Sequence, residues 1–262
     1  MTDAAANAKT PMNDECRIAN RHVPIDYQAT YRFFKGRAAG GADKVVQVLY
    51  QDDNPALAHA RSEAECRILE RALSFDGRSV LDIGCGTGRL ADHIIDRVGY
   101  YFGFDLLAEF VETAKASLVA RAIPESRYGF MALPCNARSI EMVTRRKRFD
   151  IVMMSGVSIY LNDEDFLGSL RCIAAAMHSG ASLYLRDPIE TADTRLTLNR
   201  FMSNQLSAEY SVIYRGADEY RRTVAEAFDA SYDIGPLTPM YRDPALNGGW
   251  STRQHYMVIT RK

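Results

Sequence analysis

One stretch of the chain, Ser79–Asp105, constrains the fold more than any other. It begins with the apolar segment Ser79–Ile83, which is typical of a buried parallel strand. Three glycines at alternate positions follow, and because glycine has no Cβ, the backbone can turn sharply there and approach a ligand. These residues are Gly84, Gly86 and Gly88. The pattern therefore predicts a ligand-binding turn at the end of a buried strand.

A helix and a second strand complete this unit. The helix predicted to begin near Gly88 directs its free N–H groups toward the turn. The chain re-enters the sheet at Tyr100–Phe104, and Asp105 follows where a pair of ribose hydroxyls would be held. A dinucleotide site needs G-x-G-x-x-G, whereas here the spacing is G-x-G-x-G and Asp82 precedes the turn. A carboxylate there would repel a pyrophosphate but suits a cationic or amino-bearing nucleoside.

The string LDIGCGTG, Leu81–Gly88, closely resembles motif I of the class I S-adenosylmethionine (SAM)-dependent methyltransferases. The resemblance implies SAM as cofactor, S-adenosylhomocysteine as product and no metal ion. It implies that Asp82 supports the turn, that the turn lines the methionine part of SAM and that Asp105 holds the ribose. The cofactor contacts implied at the turn and after the second strand are Asp82, Gly84, Cys85, Gly86, Asp105 and Leu106.

The composition is that of an ordinary globular enzyme. The 262 residues, 47% hydrophobic and 25% charged, suffice for one large α/β domain with additions. The net charge of −1 gives no overall attraction to nucleic acid or to an anionic membrane. No apolar run approaches the ~20 residues that cross a bilayer, so we expect a cytoplasmic protein. The five scattered cysteines indicate reduced thiols, and no metal site is visible.

Downstream of the first unit, apolar strands alternate with helices, which predicts an α/β fold with a doubly wound parallel sheet. The last two predicted strands, Ala230–Ile234 and Tyr256–Thr260, have no helix between them and so form an antiparallel pair. The methyltransferase family has this ending, with seven strands and the last reversed. We expect a mobile tail at residues 1–21, an N-terminal helical lid at 22–75 and the SAM-binding domain at 76–262. A helical insert is expected after strand five, at about residues 189–214.

Ligands of open α/β sheets bind beyond the carboxyl ends of the strands. The third strand is followed by Asn136 and Ala137, where similar methyltransferases often carry Asp-Ala. The Asn136 carboxamide oxygen can accept the bond from the adenine amino group, or it can cap the next helix, or do both. After the fourth strand, the resemblance implies backbone contacts from Ser155 and Gly156 to the cofactor.

The candidate catalytic and acceptor-binding residues also follow strands. Tyr160 lies at the far end of the loop after strand four and is a candidate for substrate contact or for taking a proton, although a packing role is the alternative. Arg186 and Asp187 follow strand five. One reading is that Arg186 binds an anionic group of the substrate and that Asp187 acts as the base. The other is that the two charges form a local ion pair that shapes the loop.

Two additions to the sheet supply further candidates. The segment YQATYRFFKGR resembles a lid of small-molecule methyltransferases, with Tyr27 and Tyr31 on one helix face and Arg37 available to the SAM carboxylate. The alternative, which is the commoner role for such aromatic residues, is a core-covering helix face, with Arg37 as a solvated charge. In the insert, Arg200 and Tyr214 belong to a group of arginines and tyrosines suited to a polar or anionic molecule.

Together these patterns favour methyl transfer from SAM to an oxygen or nitrogen of a polar, possibly anionic small molecule, of the biosynthetic type. A lid and a roof would enclose the acceptor, and no basic stripe tracks a nucleic-acid backbone. The alternatives are a protein or RNA methyltransferase and a catalytically silent SAM-binding partner. The sequence does not distinguish a monomer from a homodimer.

Overall fold

A computed structural model describes residues 15–41, 43–49, 54–203, 208–247 and 251–262. The strands in chain order are β1 (Arg17–Ala19), β2 (Ser79–Ile83), β3 (Tyr100–Asp105), β4 (Tyr128–Ala132), β5 (Ile151–Ser155), β6 (Ser182–Glu190), β7 (Leu196–Ser203), β8 (Ala208–Tyr214), β9 (Tyr232–Ile234), β10 (Thr238–Pro239) and β11 (Thr252–Arg261). The helices are α1 (Tyr27–Ala39), α2 (Lys44–Leu49), α3 (Pro55–Ala72), α4 (Arg89–Ile94), α5 (Ala108–Ala120), α6 (Ala137–Thr144), α7 (Asp163–Ala176), α8 (Ala217–Ala227) and α9 (Pro244–Asn247).

The larger sheet has the order β10-β11-β6-β5-β2-β3-β4, with β9 also paired to β11. Strands β2 to β6 run parallel, and β11 is antiparallel to β6 and to β9. The predicted seven-stranded sheet with a reversed last strand is confirmed, with β10 as a short addition. Hydrophobic clusters cover both faces, because the central strands are buried on both sides.

Sequence order reverses between β2 and β5, so the carboxyl ends of these strands border a crevice. The residues that follow β2, β3, β4 and β5 all reach this edge. The helices predicted in the N-terminal region are present, and Asn54 caps α3 by accepting a bond from the Leu57 N–H at 3.1 Å. None of the helices within the described ranges is long and apolar enough to span a bilayer.

The prediction of a helical insert at residues 189–214 is wrong. The segment forms the antiparallel pair β7–β8, and β1 joins it to make a three-stranded sheet, here called the cap sheet. Its sequence alternates, with Leu196 and Leu198 facing one side and Thr197 the other, and Ser211–Tyr214 is rich in β-branched and aromatic residues. The period of two therefore outweighs the scattered polar residues that suggested a helix.

The predicted tail at residues 1–21 also differs from the structure. Arg17–Ala19 pairs with β7, and the Asn20 N–H donates to the Arg195 carbonyl at 2.9 Å. This pairing depends on long-range contacts that the local sequence does not signal. Residues 1–14 lie outside the described ranges.

Strand β6 continues past the predicted end at Leu185 to Glu190, because residues 182–190 pair with β11. Arg186 and Asp187 therefore lie within a strand rather than in a loop, and their side chains point to opposite faces of the sheet.

Candidate active site

A cavity of about 480 Å³ lies at the carboxyl edge of the parallel strands. One part, here called the turn side, is lined by the glycine turn after β2, by Asp105 and by residues that follow β4 and β5. The other part, the cap side, is lined by α1, the cap sheet, the 3₁₀ turn Ser158–Tyr160 and the start of α7. The two sides belong to one continuous space.

The glycine turn is built as the sequence predicts. Gly84 has a φ of +73°, and a Cβ at this position would lie 2.4 Å from Cγ2 of Val157. The Gly84 N–H donates to the Phe104 carbonyl at 2.8 Å, which ties the turn to β3. The neighbouring Cys85 is buried, and burial raises the pKa of its thiol well above the usual range. Cys85 is therefore a small packing residue of the turn and not a thiolate.

Asp105 and Asp82 place two carboxyl groups at the turn side. Asp105 accepts from the backbone N–H groups of Gly86 at 2.9 Å and Leu107 at 3.0 Å. Burial raises the pKa of Asp105, and these backbone bonds oppose the effect. Asp82 accepts from the Tyr101 hydroxyl at 2.7 Å, and burial raises the pKa of Asp82 to about 7.

A fully buried carboxylate, Glu65 of α3, connects three elements at the turn side and was not predicted from the sequence. Glu65 forms an ion pair with Arg89 at the start of α4, accepts from the Ser155 hydroxyl at 2.6 Å and lies 3.7 Å from Arg186. Burial alone would raise the pKa of Glu65, but the charges of Arg186 and Arg89 and the Ser155 bond hold it below its usual value. The available signal was an acid on the apolar face of α3, next to Ile68 and Leu69.

The turn side also presents several positively charged groups. Arg61, Arg89 and Arg186 line it. The Arg89 Nη1 and Arg186 Nε atoms are buried and have no hydrogen-bond partner within the described ranges. The Arg61 Nε donates to the Leu246 carbonyl at 2.7 Å. Buried donors without partners are costly, so these atoms suit an anionic group of a ligand.

Asn136 both lines the cavity and caps α6, because its side chain accepts from the Ser139 N–H at 3.0 Å. The predicted residues that the structure gathers around the cavity are Tyr27, Tyr31, Asp82, Gly84, Cys85, Gly86, Asp105, Leu106, Asn136, Ser155, Gly156, Tyr160, Arg186 and Tyr214.

Four of the predicted residues do not line the cavity: Arg37, Ala137, Asp187 and Arg200. The three polar ones among them bind partners elsewhere. The Arg37 guanidinium donates to the carbonyls of Gln47 at 2.7 Å and Val46 at 2.8 Å, so it caps α2. Arg200 lies at a bulge in β7 and faces Glu209 at 3.4 Å. Ala137 begins α6 without reaching the cavity wall.

The fourth, Asp187, lies on the opposite face of β6. Its carboxylate accepts from the hydroxyls of Ser158 at 2.7 Å and Tyr220 at 2.8 Å, and burial raises its pKa to about 6. Asp187 therefore stabilises the 3₁₀ turn from behind and does not face a substrate as a base would.

The cap side is largely aromatic. The Phe34 ring lies 5.0 Å from the Tyr160 ring, and the Phe33 ring lies 5.3 Å from that of Tyr210. The Tyr210 oxygen is 3.5 Å from the Tyr160 oxygen and 3.0 Å from the Tyr214 oxygen. The segment expected to be a helical insert thus contributes Tyr210 and Tyr214 to the cavity wall from a strand.

Buried ion pairs fix the cap sheet to the start of α7. Arg215, only 2% exposed, contacts Asp163 at 2.7 Å, and Arg195 contacts the same carboxylate at 3.0 Å and pairs with Glu219. His22, Asp163 and Glu219 lie close enough for a metal ion, but the two guanidinium groups already neutralise the carboxylates. These arginines therefore hold the structure together and do not reach the cavity.

Comparisons with known proteins show what this part of the chain is similar to. Residues 80–180 match the family model described as a methyltransferase domain. The chain is 32% identical over 135 residues to the ubiquinone biosynthesis O-methyltransferase of Rhodopseudomonas palustris, a match that spans 50% of this chain and 49% of that protein. It is 28% identical over 124 residues to a Methanocaldococcus jannaschii protein named as a ribosomal RNA large subunit methyltransferase, spanning 47% of this chain and 32% of that one.

The fold resembles solved structures over more of the chain. Phosphoethanolamine N-methyltransferase 1 of Haemonchus contortus, solved with phosphoethanolamine and S-adenosylhomocysteine, superposes with a TM-score of 0.64 at 14% identity. The match covers 90% of this chain and 49% of that one. The chain spans about half the length, or less, of the curated relatives named above. Its glycine turn, its sheet order and the match over residues 80–180 agree: these residues are a methyltransferase domain, within a fold like that of the class I SAM-dependent methyltransferases.

Proposed function

We propose that this protein transfers the methyl group of SAM to an oxygen or nitrogen atom of a small molecule. The observation that carries the proposal is the single cavity that joins the glycine turn to the cap side. A cofactor bound at the turn and an acceptor bound under the cap sheet would share one enclosed space. Such proximity suits a displacement reaction, because bringing two reactants together supplies much of the acceleration.

The residues of the turn side fit SAM. Asp105 is expected to bind the ribose hydroxyls, and Asn136 to accept from the adenine amino group. The buried, unpartnered donors of Arg89 and Arg186 suit the carboxylate of the methionine part, and the carboxyl group of Asp82 suits its amino group. Arg61 replaces Arg37 as the candidate cation from the N-terminal helices, since Arg61 lines the cavity.

The bound cofactor supplies a methyl group on a positively charged sulfur, which is a good leaving group. A lone pair of the acceptor atom would form the bond to the methyl carbon while the carbon–sulfur bond breaks. The electron pair of the broken bond would stay on sulfur, which leaves S-adenosylhomocysteine as a neutral thioether. A proton lost by a hydroxyl or amine acceptor passes to solvent. The chain aligns the two molecules, and Tyr160 is the candidate for contact with the acceptor because its ring lies between Phe34 and Tyr210.

A macromolecular acceptor is the second candidate, favoured by the ribosomal RNA methyltransferase name of one relative. The cap sheet argues against it, because this sheet and α1 cover the side of the cavity that faces away from the glycine turn. A catalytically silent SAM-binding protein would bind SAM but transfer no methyl group.

The proposal is tested by calorimetric titration of SAM and by incubation with methyl-labelled SAM and a cell extract. We expect micromolar or tighter SAM binding that Asp105→Ala weakens about tenfold or more, since hydrogen bonds to a charged group contribute roughly 1.5–3 kcal/mol. Asp233→Ala, at an exposed carboxylate of β9, should leave the affinity unchanged.

The label should appear in small molecules. Label confined to protein or RNA would contradict the small-molecule acceptor, binding without any label transfer would indicate a silent partner, and equal SAM affinity for Asp105→Ala and the parent would refute the ribose assignment.

A further inference from the structure

The acceptor class can be narrowed from the charges and walls of the cap side. Three arginines of the cap region are excluded as ligand groups by their partners. Arg195 and Arg215 are buried in ion pairs with Asp163 and Glu219, and Arg200 faces Glu209 on the outside of the bulge. An anionic group of the acceptor therefore cannot rely on the arginines that the sequence of the insert suggests.

Arg17 is the arginine that could bind an anionic group of the acceptor. It belongs to β1, lines the cavity, and is the only cationic side chain on the cap side among the described residues. Its guanidinium carbon lies 5.8 Å from the centre of the Phe201 ring, and none of the described carboxylates lies within ion-pair distance of it. An unpaired guanidinium at the wall of a cavity suits a carboxylate, which it can bind through two parallel hydrogen bonds.

Three tyrosine hydroxyl groups of the cap side form a chain in the same part of the cavity as Arg17. Burial raises the pKa of Tyr214, and the charge of Arg17 is near enough to oppose that rise. From Tyr214 the phenolic oxygens continue to Tyr210 and Tyr160, at 3.0 and 3.5 Å. The line of hydroxyls thus runs from Arg17 toward the loop after β5, where the turn side begins.

The other residues that line the cap side are mainly aromatic and aliphatic. Phe34 and Tyr160 meet edge to face, and Leu196, Leu198 and Phe201 complete the wall on the cap sheet. Aromatic rings prefer to pack edge to face or offset against other rings, and aromatic walls are typical of sites for apolar ligands. The one carboxylate on this side in the described ranges is Asp165, which accepts from the Tyr27 hydroxyl. The amine probes named below test whether it attracts a cationic acceptor instead.

We propose that the methyl acceptor is an aromatic acid, with its ring between Phe34, Tyr160 and the cap sheet, its carboxylate on Arg17, and its hydroxyl or amino group toward the glycine turn. The inference rests on the proposed methyl transfer. According to this proposal, Arg17 determines the preference for acidic over neutral acceptors.

The test is calorimetric titration of the full chain in the presence of S-adenosylhomocysteine. The probes are hydroxy- and aminobenzoates and hydroxycinnamates, their primary amides, and the matching benzylamines. We expect the acids to bind at least tenfold more tightly than the amides, since a bidentate charged pair is lost. Arg17→Gln should remove this difference, Arg17→Lys should retain part of it, and Arg21→Gln, an exposed control in the same segment, should preserve it.

With methyl-labelled SAM, the product should be a methyl ether or N-methyl compound with a free carboxylate. A methyl ester, tighter binding of the amines, equal effects of Arg17→Gln on acids and amides, or binding of none of the probes would overturn the proposal. The cofactor affinity and thermal midpoint of Arg17→Gln should match those of the parent, so a folding defect is recognised. Failure of methyl transfer itself appears separately, as loss of SAM binding or of label transfer in the parent.

Discussion

Asp82 shows what burial does to a single carboxyl group at the turn side. In the free protein burial raises its pKa to about 7, so the group is largely protonated below that pH. The cationic amino group of SAM favours the ionised form, and binding must then release a proton. We expect the affinity for SAM to fall as the pH decreases below about 7 and to level off above it.

The measurement is a titration of SAM between pH 5.5 and 8.5 in parent and Asp82→Asn protein. The variant should bind more weakly at pH 8 and lose most of the pH dependence. Asp92→Asn on α4, whose carboxylate pairs with Lys44 outside the cavity, is the control. An unchanged pH profile in Asp82→Asn would assign the dependence to another group.

Glu65 acts on the site through the arginines that it holds. Replacing it with Gln keeps the shape but leaves Arg89 and Arg186 without their buried counter-charge, and breaking such a pair costs roughly 3–5 kcal/mol. We expect Glu65→Gln to lower the free energy of unfolding by about 3 kcal/mol and to weaken SAM binding.

Denaturant unfolding and titration of SAM measure the two effects, with Glu63→Gln as the control. Glu63 lies two residues before Glu65 on the exposed face of α3, and its ion-pair partner among the described residues is Arg67. Parent-like stability in Glu65→Gln would show that the buried cluster contributes nothing, and a loss of stability without a loss of affinity would limit Glu65 to the fold.

At the scale of elements, local signals decided what the sequence could predict. The unit from β2 to β3 was predicted closely because apolar runs, a glycine turn and an acid all lie within one short segment. Strands β7 and β8 were missed because their polar residues, among them Asn199 and Arg200, mask a period of two interrupted by a bulge. Strand β1 was missed because three residues carry no local signal and depend on pairing with β7.

The residues of the candidate site also differ in whether a local sequence signal predicts them. Residues of the glycine turn follow from the motif, since the turn needs glycine at Gly84, where a Cβ would meet Val157. Arg61 and Glu65 come from helix α3 and Arg17 from strand β1, all distant in sequence from the glycine turn. Only the folded chain brings Arg61 and Arg17 to the cavity wall and Glu65 to Arg89 and Arg186. Asp187 was misplaced because the length of β6 is set by its pairing with β11 and not by its own sequence.

At the scale of the whole molecule, two different kinds of contact hold the cavity closed. The pair β7–β8 is fixed by the buried guanidinium groups of Arg195 and Arg215. Helix α1 packs Phe33 and Phe34 on the tyrosines of the cap side, but its ion pair Lys35–Glu109 and its Tyr27–Asp165 bond lie nearer the surface. Exposed ion pairs contribute little, so α1 is the part of the cover that opens at the lower cost in free energy.

Amide hydrogen exchange of the whole protein measures this difference. Without ligand, we expect the amides of α1 to exchange faster than those of β7 and β8. S-adenosylhomocysteine should slow exchange in α1, because Tyr31 and Phe34 line the cavity and gain a partner when it is filled, while β7 and β8 change little. Exchange in β7–β8 as fast as in α1, or protection confined to β7–β8, would mean that ligands enter beneath the cap sheet instead.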